Sequence, residues 1–141
     1  MIREYTVDDI DAVADIWLSA SIKAHDFIEP SFWESQVDNM INVYIPDSKT
    51  YVYVKDLIII GFYSLCGNNL AAIFVSPEYQ GHGVGKKLMA HAKNQRTAIT
   101  LSVYKENRKS YQFYLAQGFK VITEQVDQHT GHMEYIMITK T

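Results

Sequence analysis

The sequence predicts a single mixed α/β domain over residues 1–141, with the element order β-α-α-β-β-β-α-β-α-β-β. Three observations predict it. Apolar residues recur at helical spacing in four segments, and β-branched or aromatic runs bounded by turn residues mark seven strands. One strand runs through a glycine-rich turn into a helix and then another strand. That unit implies a right-handed crossover, and so two parallel strands within an otherwise antiparallel sheet. Finally, 141 residues with 48% hydrophobic and 21% charged side chains suit one self-sufficient core.

The elements follow in order. "MIREY" reads as a short first strand. Thr6 caps the helix after it, with Asp8 and Asp9 in the first turn, where negative charge is favoured. Ile10, Val13, Ala14 and Trp17 form that helix's apolar face. The connector "KAHDFIEP" leads to a second helix after Pro30. Ser31 and Glu34 have capping-box spacing, and Trp33, Val37, Met40, Ile41 and Tyr44 give the apolar face. "TYVYV" and "LIIIGFYSLC" form a hairpin with its tip at Asp56, and "GNN" turns the chain into "LAAIFV". Val84, Leu88, Met89 and Ala92 mark the third helix. "AITLSV" is expected as a central strand buried on both faces. Lys109 to Ala116 is the fourth helix, ended by Gly118, and "FKVITEQV" and "MEYIMITK" close the chain around "DQHTGH".

Composition excludes several classes. A net charge of −3 argues against a basic nucleic-acid footprint. Cys66 is the only cysteine, so no intrachain disulfide forms; its apolar run suggests a buried small hydrophobe. No stretch has the roughly 18 apolar residues of a membrane span, and the N-terminus lacks a signal-peptide core, so the expected compartment is cytoplasmic. His129 and His132 flank a glycine turn without a supporting ligand pattern. They read as a hairpin tip, and no metal is expected.

The segment "VSPEYQGHGVGKKLMAHA", Val75 to Ala92, carries the chemistry. The first N–H groups of a helix have no internal partner and point outward, and the helix dipole adds positive potential there. Gly81, Gly83 and Gly85 let backbone approach a phosphate closely. The stretch therefore predicts a phosphate ligand, best a diphosphate. A Walker loop does not fit: its first glycine would fall at Gln80, and Lys87 replaces the Ser or Thr. A Rossmann fingerprint would need glycine at Lys86.

Gln80, Gly83 and Gly85 do fill Q-x-x-G-x-G, after a strand ending V-x-P and before an amphipathic helix. This resembles the acetyl-CoA signature of the GCN5-related N-acetyltransferase (GNAT) superfamily. A second segment, "ENRKSYQFYLAQGF", resembles the family's later motif through Asn107, Ser110, Phe113, Tyr114, Gly118 and Phe119. With the strand order, the resemblance covers nearly the whole chain, and "HDFI" is similar to small bacterial members of unassigned acceptor.

The resemblance implies a GNAT-like domain whose central mixed sheet is splayed, and acetyl transfer from acetyl-CoA, as co-substrate, to a primary amine. The acceptor would be a protein lysine or N-terminus, or a small amine. Ile73, Phe74 and Val75 would offer backbone groups to the pantetheine arm, and an N–H near Phe74 or Val75 would polarise the thioester carbonyl. Gln80 and the amides of Gly81, His82, Gly83, Val84, Gly85 and Lys86 would hold the pyrophosphate, with His82, Lys86 or Lys87 adding charge. Asn107 would hydrogen-bond the pantetheine arm, cap a helix, or both. Tyr114 takes the family position that protonates the leaving thiolate. A phenol near pKa 10 is protonated at neutral pH, but transfer to a thiolate near 8.5 is uphill, so Tyr114 would hydrogen-bond the thiolate until the site retunes both groups. For the general base, His25 has a suitable intrinsic pKa and lies in the connector beside the acceptor region; Asp26, Glu29, Glu78 and Tyr104 are alternatives. A non-catalytic acyl-CoA-binding module on the same fold is the competing reading. Oligomeric state is left open.

Overall fold

A computed structural model describes residues 1–141. Its elements keep the predicted order: β1 (Ile2–Glu4), α1 (Ile10–Ala24), α2 (Pro30–Asn39), β2 (Lys49–Lys55), β3 (Ile58–Cys66), β4 (Asn69–Val75), α3 (Val84–Lys93), β5 (Ala98–Tyr104), α4 (Arg108–Ala116), β6 (Lys120–Val126) and β7 (Met133–Lys140). The strands form one sheet, β1-β2-β3-β4-β5-β7-β6. Only β4 and β5 run parallel; every other neighbouring pair is antiparallel.

Side chains alternate across the sheet and divide the core in two. On β3, Phe62 packs with Val13, Ile16, Trp17 and Trp33 under α1 and α2. Its neighbours Tyr63 and Leu65 point the other way, to Leu88 and Met89 of α3, Leu101 of β5 and Met137 of β7. Asp56 and Leu57, both at positive φ, form the two-residue turn between β2 and β3. Gly118, at φ 91°, follows the end of α4.

A short 3₁₀ turn, Val7–Asp9, separates Thr6 from α1. The Asp9 carboxylate reaches back to the Thr6 N–H at 2.8 Å and accepts both Arg3 guanidinium nitrogens at 2.8 and 2.9 Å. Hydrogen bonds from Arg3, with help from Thr6, hold the Asp9 carboxyl down at about 2 despite its desolvation.

Four expectations need correction. The capping box at Ser31 and Glu34 does not form: α2 begins at Pro30 with Glu29 at its N-cap, so Ser31 already lies inside the first turn. Proline is suited to that first position because its missing N–H has no partner to lose there. Tyr44 is half exposed rather than core-facing. Residues Met40–Tyr44 form a wider π-helical turn, closed by Ile45 N–H donating to Met40 O at 3.0 Å, which brings Ile45 into the core instead. Cys66 is exposed: it is the last residue of β3, after buried Leu65 and at the turn into β4. And β5 is buried on one face only. Ile99, Leu101 and Val103 enter the core, while Ser102 faces an opening in the sheet.

Candidate active site

The opening follows from strand geometry. β4 and β5 share a single register pair, Asn69 with Thr100, at the start of the parallel ladder. Beyond it they diverge, so the backbone of Ala72 to Val75 pairs with β3 on one edge and has no strand partner on the other. Buried backbone N–H and C=O groups require partners; here that edge is a wall of a cleft of about 910 Å³. Its width lies between α1 and the start of α4, and it runs from the glycine turn to the β7 end of the sheet.

The glycine turn closes one end. Gly83 is the N-cap of α3 and adopts φ 82°, a left-handed conformation that side chains strain to reach. Gly85 has ordinary backbone angles, but a Cβ there would sit 3.7 Å from Phe113 and 3.8 Å from Val75, in the narrow space between α3, β4 and α4. Gln80 is tied at both ends of its amide: Nε2 donates to Val75 O at 3.0 Å, and Oε1 accepts from Lys23 of α1 at 3.1 Å. Its side chain thus fixes the turn against β4 and α1 instead of reaching into the cleft as a free donor.

Tyr114 reaches the cleft from α4, edge-on to Phe119 at 5.8 Å and to Phe113 at 5.6 Å. Burial pushes its phenol well above the ordinary tyrosine range. Its resting environment therefore retunes away from proton release, and the group it presents is a hydrogen-bond donor.

At the other end, His25 is the C-cap of α1, and 7% of it is exposed. Its ring stacks on Trp33 at 4.9 Å and meets Tyr104 and Phe27 edge-on at 5.1 and 5.8 Å. Burial among these rings lowers its pKa to about 4, with the Ser21 carbonyl opposing the fall. Asn107 caps α4: its Oδ1 accepts from Ser110 N–H at 3.3 Å, and its Nδ2 lies 3.2 Å from His25 Nε2. The Tyr104 hydroxyl donates to Asp127 Oδ2, and burial raises its pKa too. Asp26 and Glu134 border the same end of the cleft.

The sequence profile of the acetyltransferase (GNAT) domain family matches residues 46–121, the segment holding β4, the glycine turn, α3, β5 and α4. The chain belongs to the GNAT acetyltransferases. Among its relatives is the peptidyl-lysine N-acetyltransferase YiaC of Escherichia coli K12, 32% identical over 86% of this chain and 84% of that protein. YjaB of Salmonella typhimurium, with the same named activity, is 28% identical over 85% of this chain and 83% of its own length. The solution structure of apo YjaB from Escherichia coli superposes with a TM-score of 0.85 at 26% identity, covering 98% of this chain and 95% of that one. PaiA N-acetyltransferase of Thermoplasma acidophilum, solved in complex with coenzyme A, shares the fold: TM-score 0.80, 21% identity, 100% of this chain and 98% of that one.

In this acetyltransferase the cleft gathers Tyr114, His25, Asn107, Ile73, Phe74, Val75, Gln80, Gly81, Gly83, Val84, Gly85 and Lys86. His82 is exposed and lies off the cleft, as do Glu29 and Glu78. Lys87 also turns away, with Nζ 3.5 Å from the Tyr53 hydroxyl. Sequence reasoning missed Lys23, Trp33, Arg108 and Lys109, which all line the cleft. For Arg108 and Lys109 a signal existed: they open α4, and cations are disfavoured in the first turn of a helix. Two there imply an anion to meet. Lys23 and Trp33 carried no such mark, since an exposed lysine and a core tryptophan are the ordinary readings of both positions.

Proposed function

We propose that this enzyme transfers acetyl from acetyl-CoA to the ε-amine of a lysine in a peptide or protein. The observation that carries the donor half is the unpartnered β4 edge between a glycine-bearing helix N-terminus and Tyr114. The outward-facing amides of Ile73 and Val75 would take the pantetheine arm as an added strand, and the turn from Gly81 to Lys86 would take the pyrophosphate. Lys86, Arg108 and Lys109 bring positive charge to the same cleft. Bound there, acetyl-CoA supplies the activated thioester. Tyr114 then stabilises developing charge on the departing sulfur by hydrogen bonding, which its protonated phenol suits.

The acceptor half rests on chemistry at the other end. Aromatic walls from Trp33 and Tyr104 beside the Asp26 and Glu134 carboxylates suit an extended apolar chain that ends in a cation. The activity named for YiaC and YjaB supports a peptidyl lysine over a small amine. We place the enzyme in the cytosol, where the unpaired thiol of Cys66 stays reduced.

The test begins with the melting temperature of the protein with saturating acetyl-CoA, beside an ATP control. Ligand at about 100 times its Kd adds about 2.7 kcal/mol, a rise of roughly 5–10 °C for a chain of this size. No rise with acetyl-CoA overturns the donor reading. CoA release with a lysine peptide, and none with the same peptide acetylated beforehand at lysine, supports the acceptor reading. Binding without release on any amine leaves an acyl-CoA-binding module in its place.

A further inference from the structure

His25 and Asn107 stand 82 positions apart in the chain, yet their side chains are hydrogen-bonded in a buried site. The direction of that bond can be deduced. Ser110 N–H can only donate, so the Asn107 atom that receives it is the oxygen. The atom facing His25 is therefore the NH₂ group, which can only donate. His25 Nε2 must accept, and the ring proton must sit on Nδ1. An imidazole with an occupied Nε2 lone pair cannot take a proton from an incoming amine unless this bond breaks.

The surroundings keep that arrangement. Trp33 of α2 covers one face of the ring, and Phe27 of the connector and Tyr104 of β5 pack against it. No cation or carboxylate touches it. Tyr104 is the titratable group in contact, and its hydroxyl is committed to Asp127; Asp26, the next residue, is exposed. The Ser21 carbonyl accepts the His25 backbone N–H at 3.0 Å. Nδ1 has no protein partner of its own.

We propose that His25 is a positioning residue, whose unprotonated Nε2 orients the Asn107 amide so that its second N–H and second oxygen lone pair serve the acetyl donor. The inference rests on the acetyl-CoA reading of the cleft. It makes the connector after α1, which borders the acceptor, set the geometry of a group on the donor side. It also removes His25 from the general bases.

The tests use the full-length protein. Ring ¹⁵N resonances of His25 should report a protonated Nδ1 and an unprotonated Nε2, unchanged from pH 8 to pH 5.5. A protonated Nε2 overturns the proposal. Titration calorimetry with acetyl-CoA should show His25→Leu weaker by about tenfold, the scale of one lost hydrogen bond. His25→Gln, whose side-chain oxygen can still accept from Asn107, should remain within about threefold of wild type. In a Asn107→Ala background, His25→Leu should add nothing further. Equal affinities for wild type and His25→Leu overturn the proposal. So does loss, in His25→Gln, of an ionisation that wild type shows in kcat/KM, because that is the mark of a base. Failure of wild type to bind acetyl-CoA overturns the donor reading instead, and the ¹⁵N result still decides the His25–Asn107 bond.

Discussion

Asn69 pairs with Thr100, and this is the one register pair between β4 and β5. One register pair keeps the sheet continuous at its base and leaves it open above. The cleft exists because the two strands stop pairing there. Its occupant must therefore satisfy backbone as well as side chains, and several predictions can be built on that arrangement.

The glycines of the turn serve different ends, and alanine separates them. Gly83→Ala forces an L side chain into φ 82° and is expected to cost about 1–2 kcal/mol, a fall of roughly 3–8 °C in melting temperature. Gly85→Ala meets only ordinary contacts with Phe113 and Val75, so its unliganded stability should lie within about 0.5 kcal/mol of wild type. Its methyl narrows the cleft, however, and acetyl-CoA affinity should fall by about tenfold or more. Thermal melts with and without acetyl-CoA check both statements.

Tyr114→Phe keeps the ring against Phe113 and Phe119 and removes only the hydroxyl. The expected result is a drop in kcat of about 10²-fold, the lower range for loss of one hydrogen-bond donor to a developing charge. The Kd for acetyl-CoA should be unchanged. Steady-state kinetics with a lysine peptide, beside calorimetry, would show an unchanged kcat if the phenol is only a packing element.

His25 should make the fold acid-sensitive. Its pKa falls from about 6.5 unfolded to about 4 folded, so the unfolded chain binds the proton more readily. The stabilisation is fully present above pH 6.5 and is lost as pH falls toward 4. Between pH 7 and pH 5 the loss is of order 2 kcal/mol. Denaturant melts at the two pH values should show a smaller difference for His25→Gln than for wild type.

Asp9 acts in a lower window. Its carboxyl drops from 3.8 to about 2, so its stabilisation is present above pH 3.8 and disappears as pH falls through 2. At pH 7, Asp9→Asn should lower stability by about 2 kcal/mol through loss of the Arg3 pair. Arg3 itself is partly exposed, which makes that an upper value. Urea unfolding checks it, and acetyl-CoA binding should survive the change.

Much of the site could be read from the chain. The glycine turn was legible because Gln80, Gly83 and Gly85 act locally: spacing and backbone freedom decide the shape of a strand–turn–helix unit. Asn107 and Tyr114 were legible because they lie in one short helical motif. The connector end of the cleft was not. His25 read as a base candidate from its intrinsic pKa and its place in the connector, and its burial comes from Trp33, Phe27 and Tyr104, which approach from three different elements. Cys66 and Ser102 went astray for a related reason. Apolar runs predict strands, but which face is covered depends on neighbours distant in sequence.

The amino-acid order alone settled the element sequence, the crossover that makes β4 and β5 parallel, and the turn chemistry at Gly83, because each follows from short-range periodicity or backbone sterics. Packing decided the rest. The divergence of β4 from β5, the proton position on His25 and the commitment of Gln80 to Val75 and Lys23 depend on groups brought together from distant parts of the chain. Long-range contacts of that kind leave no local pattern, so only the tertiary structure could reveal them.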